Sequence, residues 1–289
     1  MKELIGTGVA LVTPFKADLS IDINALKKIV NYNIDNGIDY LVVLGTTAES
    51  ATLTKQEKEV VVKTVVSVNN ARLPLVLGIG GNDTNAVINE IKNTDLTNFS
   101  AILSVSPFYN KPTQEGIYQH FKAVSKACPV GIILYNVPGR TSSNMAAQTT
   151  VRLAKDFKNI VAIKEASGNM EQIMAILRDR PSNFKVLSGD DALTLPMVLM
   201  GADGVISVQA MAQPKEFSDM VRAGLAGDLQ KARALHYPQL EVIDHLFAES
   251  NPAGVKACLE IKGICEAFVR LPLVSISKDR YTKLIALLN

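Results

Sequence analysis

The sequence is poor in the residues that most simply announce a metal, disulfide or nucleic-acid protein. Among 289 residues there are three cysteines, Cys128, Cys258 and Cys265. They form no CxxC pair, and an odd thiol is left over in any disulfide scheme, which excludes a disulfide scaffold and points to a reducing, cytoplasmic compartment. The three histidines, His120, His236 and His245, lack metal-ligand spacing with acidic partners, so no metal site is expected and they read as structural or surface residues. Thirty basic residues face 28 acidic ones, a formal net charge of +2 with no long Lys/Arg run, which argues against a nucleic-acid partner. No long apolar stretch occurs either. The short run in "MKELIGTGVALVTPF" is broken by Gly6, Gly8 and Pro14, so it is neither a signal peptide nor a membrane span. No GxGxxG turn follows the first strand-like segment. "GIGGND" at 78–83 offers backbone N–H groups to an anion or simply serves a strand-to-helix turn, and no Walker lysine follows it.

What is present is a rhythm. The chain is 47% hydrophobic and 20% charged, ordinary for a globular protein with a full core. Eight short apolar, β-branched segments recur: "GVALVTPF" from 8, "YLVVLG" from 40, "LPLVLGIG" from 73, "AILSVSP" from 101, "VGIILYNVP" from 130, "IVAIKEAS" from 160, "FKVLSGDD" from 184 and "GVISVQA" from 204. Between them lie segments such as "INALKKIVNYNIDNG" and "TKQEKEVVVKTVVSVNN", whose apolar residues fall three and four apart. Thr54 and Glu57 fit a capping box for the second. Strand alternating with helix is the βαβ signature, and eight such units predict a closed (β/α)8 TIM barrel, with an open doubly wound sheet as the alternative. Residues 1–212 would carry the barrel strands and active site, and 213–289 the final barrel helix and a C-terminal helical extension.

In such a barrel the active site lies at the C-terminal ends of the strands. Lys164 stands there, inside the otherwise apolar run "NIVAIKEASG". Either its stem snorkels to water at a strand end, or its amine is buried so that it attacks a carbonyl. Period two predicts Ala162, Lys164 and Ala166 on the inner face, and Val161, Ile163 and Glu165 on the outer. Attack on a ketone gives an imine, an electron sink whose formation needs proton shuttles. Tyr135, Tyr109 and Thr46 are the candidates at neighbouring strand ends; each also has an ordinary role in packing or turns. Arg140, beside Pro138 and Gly139, offers a planar fork to a carboxylate, or pairs with an acidic surface residue.

These residues sit in longer landmarks: "GTTAES" at 45–50, "SPFYNKPTQEGIYQHF" at 106–121, "YNVPGRT" at 135–141, "IKEASG" at 163–168, "LSGDD" at 187–191, "GVISV" at 204–208 and "NPAGVK" at 251–256. With them the chain resembles, over essentially its whole length, the dihydrodipicolinate synthase family within the class I pyruvate aldolase and lyase superfamily. The resemblance implies a barrel in which Lys164 forms an imine with pyruvate and no separate cofactor is used. Tyr135 would exchange protons, linked through Thr46 to Tyr109. Thr47, Arg140, Ile206 and Gly189 match substrate-binding positions, with Thr47 and the Ile206 backbone near the pyruvate carboxylate and Arg140 on the carboxylate of L-aspartate 4-semialdehyde. The product, 4-hydroxy-tetrahydrodipicolinate, leads to diaminopimelate and lysine. A sialic acid lyase or a ketodeoxy-sugar-acid aldolase shares the lysine and tyrosine; the arginine of "YNVPGRT" and the paired threonines favour the synthase.

The resemblance further implies a homotetramer built from two tight dimers, with Tyr109 reaching into a neighbouring subunit's site. Ala48 stands where the family often has Gly, a change that a negative φ would accommodate. Ser50, Ala51 and Asn82 match a site at which some members bind lysine as an inhibitor. Lys55, Lys58, Ala86 and Phe108 depart from it, so feedback inhibition is expected to be weak or absent.

Overall fold

The computed structural model describes residues 4–288. Met1–Glu3, within the amino-terminal stretch read above, and Asn289, which ends the last helical stretch, lie outside the described residues. Strands β1 (Gly6–Ala10), β2 (Tyr40–Val43), β3 (Leu75–Gly78), β4 (Ala101–Val105), β5 (Gly131–Asn136), β6 (Ile160–Glu165), β7 (Lys185–Ser188) and β8 (Gly204–Ser207) each overlap one of the eight apolar segments, β1 starting two residues earlier and ending at Ala10. Each pairs in parallel with the next. β1 also pairs with β8, from Gly6 opposite Gly204 to Val9 opposite Ser207, which closes the barrel and excludes the open sheet.

Alternation sorts the strand side chains into two cores. Ala10, Val42, Val76, Leu103, Ile133 and Leu187 fill the barrel interior, while Val9, Leu41, Leu77, Ile102, Ile132 and Val205 pack under the surrounding helices. Fully burying a side chain of this size stabilises the fold by about 1.5–3 kcal/mol. Tyr40 is the largest fully buried side chain of the described residues, and its hydroxyl donates to the Val205 carbonyl at 2.8 Å. The ring needs the space left by Gly8, where a Cβ would lie 2.1 Å from a ring carbon.

The helices begin where side chains can satisfy their first N–H groups. Thr54 Oγ1 accepts from Glu57 N at 3.2 Å and Glu57 Oε2 accepts from Thr54 N at 2.8 Å, completing the capping box of the helix Lys55–Asn69. Such a cap contributes about 1 kcal/mol. The helix Pro214–Leu225 packs on β1 and completes the barrel's outer ring. Helices Leu229–Phe247, Ala253–Ile261 and Lys278–Leu288 follow it. The second of these starts within "NPAGVK", a stretch that reads as motif rather than helix in the sequence.

One expectation fails inside β6. Ile132 pairs with Ile160 but Ile133 pairs with Ala162, so Val161 is an extra residue at a shift of register. Val161 accordingly packs against the interior cluster and not on the outer face. Beyond it the predicted alternation resumes, with Ile163 in the outer core and Tyr135 opposite Lys164. No helix among the described residues is long and apolar enough to cross a membrane. All three cysteines are buried and unpaired.

Candidate active site

Lys164 emerges from the last turn of pleat in β6, one residue before the strand ends, and only 6% of it is exposed. It does not snorkel. Its Nζ lies 4.6 Å from the centroid of the Tyr135 ring, the residue directly across the β5–β6 ladder. Ala162 and Ala166 leave the stem uncrowded on its own strand. Gly189, the residue after β7, does so too: a Cβ there would sit 3.0 Å from both Cγ and Cε of Lys164 and 2.7 Å from the Ala166 methyl. A side chain at 189 would crowd the lysine stem and force the Ala166 methyl to shift.

Tyr135, Thr46 and Arg140 line one cavity of about 490 Å³, together with Asn251, Phe108 and the Ser50–Thr52 turn. The volume suits a small substrate. Lys164, Thr47, Gly189 and Ile206 do not line it; the amine meets its wall at the Tyr135 ring. Arg140 sits in the single turn Pro138–Thr141, is exposed, and forms no ion pair among the described residues, so the pairing with an acidic neighbour is not made. Ile206 is buried in the interior beside Tyr135 and Leu187. Tyr109 stands apart. It is 87% exposed, outside the cavity lining, in left-handed backbone at φ 72°. A larger groove of about 710 Å³ on the barrel flank, between the helices Lys55–Asn69 and Thr84–Lys92, contains none of the strand-end candidates.

The threonine turn is built by residues far away in sequence. Thr46, Thr47 and Ala48 form one turn of 3₁₀ helix. Ala48 is buried and is not among the positive-φ residues, so its methyl fits; the left-handed residue of the turn is Glu49, at φ 53°. Thr47 Oγ1 accepts from Asn251 Nδ2 at 3.1 Å. Glu49 receives Lys256 Nζ at 2.5 Å and the Arg270 N–H at 2.9 Å, while Lys256 also donates to the Phe268 carbonyl at 2.8 Å. Burial pulls the Lys256 ammonium below the ordinary lysine range, against the opposing charge of Glu49. Arg270 continues the clamp onto the Thr52 carbonyl and Glu57, which holds the Glu57 carboxyl down to about 2.

Asp191, like Glu49, Asn251 and Lys256, is not singled out by the sequence. It is buried just beyond β7 and accepts from the backbone N–H groups of Val208 and Gln209 at 3.2 and 2.8 Å, fixing the turn after Ile206. Burial raises its carboxyl above the usual range, opposed by the Ser207 hydroxyl, these N–H groups and the Lys164 charge. Asn251 and Asp191 both lie within the quoted landmarks "NPAGVK" and "LSGDD"; what the sequence lacks is any sign that they meet the threonine turn and the β8 turn.

Comparison with known proteins fits this arrangement. The model of the dihydrodipicolinate synthetase family matches residues 3–289. A curated 4-hydroxy-tetrahydrodipicolinate synthase of Flavobacterium psychrophilum is 59% identical over 284 residues, covering 98% of this chain and 97% of the relative. The crystal structure of dihydrodipicolinate synthase from Aquifex aeolicus superposes with a TM-score of 0.94 at 41% identity, over 99% of this chain and 97% of that one. The chloride-inhibited synthase from Acinetobacter baumannii complexed with pyruvate gives a TM-score of 0.95 at 39% identity, covering 99% and 98%. Likeness of that extent, in sequence and in the closed barrel alike, makes this chain a member of the dihydrodipicolinate synthetase family.

Proposed function

We propose that the protein condenses pyruvate with L-aspartate 4-semialdehyde to give 4-hydroxy-tetrahydrodipicolinate, with Lys164 as the covalent centre and no separate cofactor. The observation that carries the reading is the buried Lys164 amine facing the Tyr135 ring across the β5–β6 ladder. Membership of the family supplies the substrates.

The Lys164 amine adds to C2 of pyruvate, and loss of one water leaves an iminium. Removal of a proton from C3 gives the enamine, whose C3 attacks the aldehyde carbon of the second substrate. The new alkoxide takes a proton. The amino group brought in by aspartate semialdehyde then attacks C2 and expels the Lys164 amine as the ring closes, so one water is released overall. Tyr135, on the cavity wall beside the amine, serves as proton donor and acceptor, with Thr46 next in the relay. Thr47, Gly189 and the Ile206 backbone hold pyruvate, and Arg140 at the mouth binds the carboxylate of aspartate semialdehyde with a charge-assisted fork.

Tyr109 completes the relay from a neighbouring subunit in a homotetramer of two tight dimers. Its exposure and outward, left-handed placement support donation to a partner. The test is direct: incubate with pyruvate, reduce with borohydride, locate the adduct by mass, and assay ring formation beside cleavage of N-acetylneuraminate and 2-keto-3-deoxygluconate. An adduct on Lys164 with ring product is expected. Cleavage of a sugar acid without ring product would overturn the reading.

A further inference from the structure

Glu165, next to the reactive lysine, is fully buried and forms no ion pair among the described residues. A carboxylate in that position needs donors to offset its lost hydration. It has three. Asn136 Nδ2 reaches both oxygens, at 3.2 and 3.0 Å, Gln172 Nε2 donates to Oε2 at 3.1 Å, and the Ser167 N–H donates to Oε1 at 2.8 Å.

Asn136 is the hinge of this cluster. It pairs with Glu165 in the same ladder in which Tyr135 pairs with Lys164. Its Oδ1 accepts from the Met145 N–H at 2.9 Å, and its Nδ2 also reaches Asn144 Oδ1 at 2.9 Å. The chain that leaves the barrel after Asn136 and returns at Asn144 is the segment that carries Arg140. Asn136 therefore closes that excursion at its base, and Glu165 fixes the Asn136 amide in the one orientation that serves both Met145 and Asn144. Gln172 ties the far side, accepting from Asn144 Nδ2 at 2.8 Å.

We propose that Glu165, acting through Asn136, is a positioning residue that sets the Arg140 turn relative to the Tyr135–Lys164 pair and so governs capture of the second substrate. This rests on the carboxylate-binding role given to Arg140 above. An acceptor-only side chain is required at 165. Glutamine has the same shape but turns an amide donor toward donors, or leaves one of them unpaired, and a buried unpaired polar group is costly.

The experiment compares the full-length protein with Glu165→Gln, Asn136→Asp, the double variant, Asn144→Ala and Arg140→Ala. For each, KM for both substrates, kcat, borohydride trapping of pyruvate and thermal midpoint are measured. Glu165→Gln is expected to raise KM for aspartate semialdehyde roughly tenfold or more, with pyruvate KM and the trapped adduct near wild type. The double variant exchanges donor and acceptor between the two positions and should recover much of the loss, which a merely structural defect would not. Asn144→Ala, at an exposed position, gives a milder rise in the same KM and keeps the test open if Glu165→Gln fails to fold. A folded Glu165→Gln or Asn144→Ala with wild-type KM for aspartate semialdehyde overturns the inference, as does a double variant no better than its components. Arg140→Ala separates the two levels. If it leaves that KM unchanged, the Arg140 reading itself fails; if it raises KM while Glu165→Gln does not, only the positioning role fails.

Discussion

Lys256 Nζ lies 2.5 Å from Glu49 Oε1, and neither side chain is reached by water. The pair joins the helix Ala253–Ile261 to the turn that carries Thr46 and Thr47. Lys256→Met strands the Glu49 carboxylate and should destabilise the fold by about 3–5 kcal/mol, whereas Lys256→Met with Glu49→Gln should lose much less, because a neutral pair needs no counter-charge. Thermal midpoints of the two variants check the order. A single variant as stable as the double would contradict it.

The roles proposed for Lys164 and Arg140 belong to different steps, so their variants should fail differently. Lys164→Ala abolishes the borohydride adduct and nearly all turnover. Arg140→Ala keeps the adduct and loses about two orders of magnitude in efficiency toward aspartate semialdehyde, the cost of a charge-assisted carboxylate contact. Mass spectrometry of the trapped protein, beside initial rates, distinguishes them.

Tyr109 is expected to work across a subunit boundary. Tyr109→Phe and Arg140→Ala proteins are each impaired, but a mixed dimer holds one site with both defects and one with neither. Co-refolding or subunit exchange should therefore restore activity above the sum of the parents. Fully active monomers by analytical ultracentrifugation at assay concentration would refute the arrangement.

Feedback by lysine should be weak. Lys58 shares the cavity lining with Ser50, Ala51 and Phe108, and its ammonium would repel that of a lysine bound there. Asn82 Nδ2 is occupied with the Phe108 carbonyl at 3.1 Å, and Ala86 brings no carboxylate. At these partly exposed positions a like charge and a missing partner each cost up to about 1 kcal/mol, together about tenfold or more in affinity. Initial rates at subsaturating pyruvate should hardly change with submillimolar lysine.

Acid should weaken the fold through His120. Burial pushes its imidazole down to about 4, with Nδ1 2.9 Å from Thr84 Oγ1 and Nε2 without a partner among the described residues. The unfolded chain takes up the proton near 6.5 while the native state resists it, so stability is intact above about 6.5 and is lost as pH falls toward 4. The full loss is about 3 kcal/mol. Glu57, held down to about 2 by Arg270, adds a later loss between about 4.5 and 2. His120→Gln should flatten only the upper window in a series of thermal midpoints against pH.

The strands were legible because apolar, β-branched runs repeat at one spacing, and Lys164 because a lysine contradicts such a run. Gly189 came only from resemblance; its cause, the lysine stem 3.0 Å from where a Cβ would be, is a contact between strands. Asn251 meets Thr47 and Lys256 meets Glu49 across some two hundred residues, and Asp191 reaches the β8 turn from beyond β7. Periodicity reports which face a residue is on, not what faces it. Val161 shows the limit of periodicity itself, since an extra residue in a strand leaves no mark in a pattern of apolar residues.

That extra residue sets the phase of the half of β6 that carries Lys164. Were Val161 absorbed into regular pairing, Ile163 would stand opposite Tyr135 and Lys164 opposite Asn136, delivering the amine to the layer under the helices. The lower strand, which fills the barrel floor, and the upper strand, which carries Lys164, are thus two separately registered segments. Deleting Val161 would close the bulge and still leave Lys164 opposite Tyr135, because the upper pairs keep their own register whatever the lower strand holds.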